Sequence, residues 1–187
     1  MTKLTDRVNL SEVNVELTLP FLGKVSGKWQ PDENERDAAW EMYVELVTRI
    51  SVAELGPEEG LLREALSSLY ALFNITRGIL RAHGPVVAQP KGQGKFSFGY
   101  LAVAVLNAVL RPLLAHWHPL LLDYESHKPA DASAVEWEKR WDKNGELRRA
   151  LASARGSLIA FADLLAAVAS VPSLIIPAPP GANTPRG

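Results

Sequence analysis

The chain of 187 residues contains no cysteine, and its formal net charge of −1 is close to balanced. Without cysteine it forms no disulfide, has no thiol nucleophile and offers no thiolate ligand to zinc. Its near-neutral charge provides no bulk attraction for a polyanion. The hydrophobic share of 47% is ordinary, so composition predicts a globular protein with a sizeable core. The lack of cysteine favours a reducing, cytoplasmic environment.

Long hydrophobic runs free of charge are also missing. Residues 1–10 lack the apolar core of a secretory signal peptide. Two segments, 98–115 and 157–176, approach the length of a membrane-spanning helix, but each contains a charge, Arg111 or Asp163. A charge at the centre of a spanning helix costs about 2.5 to 3.5 kcal/mol, and Asp163 falls opposite the apolar stripe of its segment. We therefore expect a protein that does not cross a membrane.

Motifs for common catalytic and cofactor chemistry are absent as well. The glycines of residues 85–99 lack the Gly-Lys-Ser/Thr ending of a phosphate-binding loop and follow no predicted strand, so this segment is predicted to be a flexible linker. The sequence contains neither HExxH nor a nucleophile elbow. His116 and His118 point in different directions on a helix, with no carboxylate beside them at ligand spacing. We therefore predict neither a cofactor nor a metal ion.

The N-terminal part of the chain has the pattern of a β-hairpin. Val13, Val15, Leu17 and Leu19 alternate with polar residues, which is the period of a half-buried strand. Proline and glycine residues follow, and the chain can return as a second strand that ends at Trp29. Because an isolated hairpin is marginally stable, this one must pack on the helices or pair with another chain.

Helical periodicity follows the hairpin. Asp32 is a suitable N-cap for a first helix, which is predicted to end near residues 55–57. A second helix is predicted over residues 57–83, with Phe73 among the apolar residues of its core face. Gly84 suits the left-handed position that commonly follows a helix.

The third helix is predicted over residues 97–117 and is apolar almost all round, as expected for a central helix. Pro112 removes a backbone donor and predicts a kink, and Pro119 should end the helix. In regular helical geometry His116 falls in the apolar stripe and is expected in the core. Because the helix is apolar almost all round, Arg111 should be at least partly buried.

A last long helix is predicted to begin after Ser133, which forms a capping box with Glu136. Gly145 is expected to bend or divide it. Between Leu147 and Val168 apolar residues recur at spacings of four and three, which is typical of a packing seam. The tail beyond it is too rich in proline and glycine to pack.

Together these patterns predict a mainly all-α fold, an antiparallel four- or five-helix bundle with a short N-terminal β-strand or hairpin. We expect a single domain over residues 1–176, with the hairpin at 13–29 and the helices within 32–172. Residues 177–187 are predicted to be a disordered tail.

The candidate binding site consists of polar sectors on two helices. If the second and third helices are antiparallel neighbours, these sectors border one groove with several donors for an anionic partner. A solvated stripe with no binding role is the alternative. The predicted residues are Tyr70, Asn74, Arg77 and Arg81 on the second helix, and Asn107, Arg111 and His118 on the third.

The spacing of arginine and histidine resembles the signature of HEPN ribonucleases, in which an arginine is followed by about four to six residues and then a histidine on a helical bundle. Arg111 precedes both His116 and His118 here, and Arg77 precedes His83. The resemblance covers these residues and the helical class. It implies a dimer that cleaves RNA without a metal ion, with His118 transferring the proton and Arg111 stabilising the developing phosphate charge.

The sequence as a whole favours a non-enzymatic interaction or assembly module, a scaffold or regulator within a larger cytoplasmic complex. Its partner is expected to be another protein or a second copy of the chain. The alternative is a HEPN-like, metal-independent ribonuclease that acts as a dimer, and RNA is a partner only in that case.

Overall fold

A computed structural model describes residues 11–20, 22–49 and 59–175 of the chain. These residues form a mostly helical fold with a small three-stranded sheet that includes the N-terminal strands. The predicted predominance of helix is therefore confirmed. The predicted disordered tail, 177–187, lies outside the described residues.

The predicted hairpin is present. Strand β1 (Val13–Leu19) pairs antiparallel with β2 (Gly23–Trp29). The apolar residues of β1 are buried, and the polar residues between them are exposed. This alternation is the one predicted for a strand that covers a core with one face.

A third strand, β3 (Lys95–Phe96), runs parallel to the end of β2 and was not predicted. It belongs to the segment predicted as a flexible linker. That prediction is wrong, because Pro85–Ala88 forms a short 3-10 helix in which Val87 is fully buried. Gly99 allows this packing, since a Cβ there would lie only 2.6 Å from the Cβ of Ala88.

Helix α1 (Glu33–Val47) begins with the predicted cap. The Asp32 side chain accepts a hydrogen bond from the backbone N–H of Glu35, and the Glu35 carboxylate accepts one from the N–H of Asp32. The predicted end near residues 55–57 is wrong. The helix ends at Val47, where the Thr48 hydroxyl donates to the carbonyl of Val44 and competes with a further turn.

Helix α2 (Leu62–His83) ends as predicted at Gly84, which has a φ of 71°. Its start at residue 57 is wrong, because residues 59–61 are not helical. A carboxylate from a distant part of the chain caps this helix. Glu138 accepts hydrogen bonds from the backbone N–H groups of Leu62 at 2.7 Å and Arg63 at 3.2 Å.

Helix α3 (Phe98–Ser126) passes through both of its prolines. A π-turn, Leu106–Leu110, lies just before Pro112, where the kink is predicted. The predicted end at Pro119 is wrong. Packing beyond this proline offsets its cost, because Leu121 is fully buried and the Tyr124 hydroxyl donates to the carbonyl of Trp137.

The π-turn changes which residues of α3 face the core. It inserts one extra residue into the helix, so every later residue is rotated by about one position relative to a regular α-helix. Leu114 and Leu121 are buried, whereas Leu113 and Leu120, one position earlier, are half-buried. His116 is exposed, so its predicted place in the core is wrong.

Arg111 is also exposed rather than partly buried, and that prediction is corrected with it. It lies on the exposed side of α3, in the polar sector that helical spacing predicts for it. Its Nε donates to the side-chain oxygen of Asn107 on the same exposed side.

Two further helices complete the described chain, α4 (Ala134–Lys139) and α5 (Asn144–Ala169). The predicted capping box is wrong, because the Ser133 side chain makes no capping hydrogen bond. The break between the helices falls at residues 140–143, just before Gly145. The predicted seam of α5 is largely buried, and Asp163 is exposed as predicted.

Helices α3 and α5 are long and apolar enough to cross a membrane by length and composition. Within the protein, 56% of the most apolar window of α3 and 44% of that of α5 are buried. One continuous core includes residues of β1, β2 and the long helices. The apolar side chains of α3 therefore serve two purposes, since one side fills the core and the other stays exposed.

Candidate functional site

An open groove of about 310 Å³ lies between α2 and α3. We call it the α2–α3 groove. Its lining residues are Tyr70, Phe73 and Arg77 of α2, and Arg111, Leu114, Ala115 and His118 of α3.

Helical spacing explains why these side chains converge. The lining residues of each helix recur at three or four positions, so they lie on one side of it. The Tyr70 ring is 5.8 Å from the His118 ring, and the Arg111 guanidinium is 5.7 Å from the Phe73 ring. Residues later in α2 therefore contact residues earlier in α3, so the two helices run antiparallel here.

Four of the seven predicted site residues line the groove: Tyr70, Arg77, Arg111 and His118. Asn74 and Asn107 do not line the groove. Their side-chain oxygens accept hydrogen bonds from two residues that do, Arg77 at 2.7 Å and Arg111 at 2.9 Å. Arg81 is exposed on α2 and does not line the groove.

Phe73 lines the groove but is not among the predicted site residues. It was predicted to face the core, but it is half-buried, and Leu72 takes the fully buried position. A signal was present, because Phe73 stands at helical spacing from both Tyr70 and Arg77. An aromatic residue between two polar residues of one sector fits the groove better than the core.

Two positive charges lie near the ring of Phe73. The Cζ atoms of Arg77 and Arg111 lie 6.0 Å and 5.7 Å from the ring centroid, which is the range of a cation–π contact. Within the part of the chain that the structure describes, neither guanidinium forms an ion pair with a carboxylate. This end of the groove therefore carries a concentrated positive charge beside an apolar surface.

The opposite end of the groove is already neutralised. Arg63 binds the Glu125 carboxylate through two nitrogens, at 3.0 Å and 2.6 Å, and its Nη1 lies 3.0 Å from Nδ1 of His118. Arginine is only a donor, so Nδ1 must be the acceptor and the neutral ring carries its proton on Nε2.

The environment of His118 favours this neutral form. Burial lowers the pKa of His118 below its usual value, and the charge of Arg63 adds to that effect while Glu125 opposes it. Nε2 is buried and has no hydrogen-bond partner in the structure. His118 therefore has its acceptor nitrogen occupied and its donor nitrogen enclosed.

The other arginine–histidine pairs of HEPN spacing are not brought together in the groove. The exposed His116 ring packs edge-on against Trp117, 4.8 Å away. His83 lies 3.0 Å from the Glu41 carboxylate of α1. Of the three pairs, the structure places Arg111 and His118 on the same groove.

No group of three histidine, aspartate or glutamate side chains suited to a metal ion occurs within residues 11–20, 22–49 and 59–175. In comparisons with known proteins, the chain matches no protein-family model, no curated protein and no solved structure.

Proposed function

We propose that the protein is a non-enzymatic interaction module that docks a partner on one surface, which we call the groove face. The groove face comprises the α2–α3 groove and the exposed apolar residues that extend it. These are Tyr70, Tyr100, Val103 and Leu122. The observation that carries the proposal is the exposure of these four large apolar side chains along α3 and beside it on α2.

The groove face is continuous along α3. Its positions 100, 103, 107, 111, 115, 118 and 122 recur at three or four residues and remain outside the core. Tyr70 extends it onto α2 through its contact with His118. The exposed apolar residues of this face are interspersed with polar ones, Asn107, Arg111 and His118, and tyrosine and arginine are enriched in interfaces. This composition supports docking.

The hydrogen bonding of His118 gives little support to catalysis. A general base needs a free lone pair within reach of the proton that it removes. The Nδ1 lone pair of His118 is held by Arg63, and the Nε2 atom is buried. Catalysis would require the Arg63 contact to open first, so this arrangement favours an interaction module over an enzyme.

A HEPN-like ribonuclease is the second candidate, and one observation favours it. Arg111 and His118 line the same groove, and Arg111 is exposed and free of any described carboxylate partner. In this case two copies would bring their arginines and histidines together on RNA. His118 would transfer the proton, and Arg111 would stabilise the phosphate.

The finer architecture belongs to the same proposal. We propose an antiparallel four- or five-helix bundle, because α1 packs against both α2 and α5, and α2 packs against α3. We place it in the cytoplasm because the chain contains no cysteine. Such a scaffold would hold the groove face rigid for a protein partner or for a second copy of the chain.

Photo-cross-linking tests the docking proposal. A photo-reactive residue at position 103 should capture a partner, whereas the same residue at Trp40, an exposed apolar site on α1, should not. Each captured protein is then purified and titrated against the chain. Val103→Asp should weaken binding about tenfold or more through burial of a charge in the interface, and Trp40→Asp should leave it unchanged.

A second copy as the partner is tested by light scattering, in which Val103→Asp should convert a dimer to a monomer. Binding or dimerisation that Val103→Asp leaves intact would contradict docking on the groove face. Incubation with RNA in EDTA tests the ribonuclease. Cleavage that His118→Ala abolishes while the helical circular dichroism is retained would replace the docking proposal with the second candidate.

A further inference from the structure

Resting on the proposed docking function, we propose that the α2–α3 groove binds an acidic segment of a partner protein. A carboxylate of that segment lies between Arg77 and Arg111, and a neighbouring apolar side chain packs against Phe73 and Leu114. Docking on the groove face does not by itself define the chemistry of the partner, and an acidic segment does.

The two arginines are oriented but not neutralised. Asn74 and Asn107 accept one hydrogen bond from each guanidinium and hold it in place, and an amide contributes no negative charge. Both guanidiniums lie near the same phenyl ring, so their like charges repel in the free protein. A carboxylate between them removes that repulsion and forms charge-assisted hydrogen bonds with both.

The charges around the groove also determine where the carboxylate of the partner binds. Arg63 is paired with Glu125, and His118 accepts from Arg63 in its neutral form. The Arg63 end of the groove is therefore balanced, while the Arg77 and Arg111 end is not. A carboxylate is directed to the second end, where the apolar surface of Phe73 adjoins the charges.

The shape of the site favours an extended protein segment. A volume of about 310 Å³ is at the small end for a ligand site and accommodates side chains rather than a helix or a folded domain. The groove opens onto Tyr70 and the exposed stripe of α3, along which a chain can continue. Nucleic acid fits less well, because it requires a row of phosphate contacts and the whole chain has a net charge of −1.

The test uses the full chain as bait for a displayed library of random peptides. We expect enrichment of aspartate or glutamate next to a large apolar residue. A fluorescent copy of an enriched peptide is then titrated against charge-reversed variants. Arg77→Glu and Arg111→Glu should each weaken binding about tenfold or more, because a charge-assisted bond is replaced by repulsion.

Arg81→Glu is the matched control, since it makes the same change at an exposed arginine of the same helix outside the groove. It should leave the peptide affinity unchanged. A library selected on the Arg111→Glu chain should instead enrich lysine or arginine. This reversal would show that Arg111 determines which charge on the partner is preferred.

The other outcomes separate the two proposals. Enriched peptides without acidic residues, whose binding depends on Val103 but not on Arg77 or Arg111, would overturn the acidic partner and leave docking on the groove face intact. Peptides that respond to none of these substitutions, or a library that shows no enrichment, would overturn the acidic segment. Displacement of the peptide by mixed-sequence single-stranded RNA at physiological salt would assign the groove to nucleic acid and overturn it too.

Discussion

The contact between Arg63 and His118 connects the groove to the protonation state of one residue. A protonated imidazole has no lone pair, so Nδ1 accepts from Arg63 only while His118 is neutral. The other groups around the ring are Tyr70, Glu125 and the groove arginine Arg111. Burial, followed by the charge of Arg63, lowers the pKa of His118, while Glu125 opposes this shift. We therefore expect folding to be coupled to pH at this position.

We predict that the stability contribution of neutral His118 is lost in mild acid. The folded protein binds this proton less tightly than the unfolded chain, in which a histidine has a pKa of about 6.5. The contribution is therefore complete above that pH and declines as the pH falls below it toward the lowered pKa. Thermal unfolding at neutral pH and in mild acid measures the loss.

His118→Asn should flatten this pH dependence, because asparagine keeps an acceptor for Arg63 and does not titrate. His116→Asn is the control, since it removes an exposed histidine two residues away on the same helix. It should keep the parental slope. Equal slopes for the parent and His118→Asn would show that His118 does not couple folding to pH.

At the residue scale, the sequence predicted which polar side chains share a helix face, but not their burial. The prediction for His116 failed because it assumed a regular helix, and a π-turn leaves no signal in apolar periodicity. The prediction for Arg111 failed because a helix that is apolar almost all round was expected to be enclosed on every side, whereas one side of α3 is exposed. The hydrogen-bond partner of His118 could not be predicted from the sequence either. Arg63 lies 55 residues away in the chain, so their contact depends on how α2 and α3 pack.

The helix ends show the same limit at the scale of elements. The cap of α1 is local, since Asp32 and Glu35 are neighbours on one turn, and sequence spacing predicts such a cap. The cap of α2 comes from Glu138, 76 residues beyond Leu62. Pro119 does not end α3, because residues beyond it such as Leu121 are buried and offset the lost hydrogen bond.

We predict that the distant cap is a main stabiliser of the α2 N-terminus. Glu138 is 4% exposed and accepts from two backbone N–H groups, of which that of Leu62 is fully enclosed. Glu138→Ala leaves these donors without a partner and should lower the free energy of unfolding by about 2 kcal/mol. Urea unfolding followed by circular dichroism measures the change.

Glu136→Ala is the matched control for this cap, because it removes an exposed carboxylate from the same helix, one that pairs with Lys139 three residues away. It should change stability by less than about 0.5 kcal/mol. Glu138→Gln should fall between the two, since it keeps an acceptor but loses the charge at the helix N-terminus. A Glu138→Ala protein as stable as Glu136→Ala would contradict the capping role.

At the scale of the whole molecule, hydrophobic periodicity predicted the helical class and the hairpin. It did not predict the attachment of β3, because a pairing of two residues carries no pattern of its own. It also did not show which apolar residues of α3 would be left outside the core. Which apolar residues of α3 are buried depends on how many other elements pack around the helix. The apolar residues that stay exposed form part of the groove face.

The sheet and the helices share their core, since Val15 and Leu17 of β1 are buried in the same cluster as Phe161 and Leu165 of α5. A hairpin of two strands is marginally stable in isolation. If β1 unfolded first, α5 would lose part of its cover, and its buried face would be exposed to water. The hairpin and the helices should therefore unfold in one cooperative step.

Val15→Ala tests this cooperation, because it removes two methyl groups from a fully buried position in the sheet. We expect it to lower the midpoint of helix unfolding, with a loss of about 2 kcal/mol that appears equally in circular dichroism and in hydrogen exchange of β1. Glu16→Ala, its outward-facing neighbour paired with Lys24, should change neither signal by more than about 0.5 kcal/mol. Faster exchange in β1 with an unchanged helix midpoint would instead mean that the hairpin opens independently of the helices.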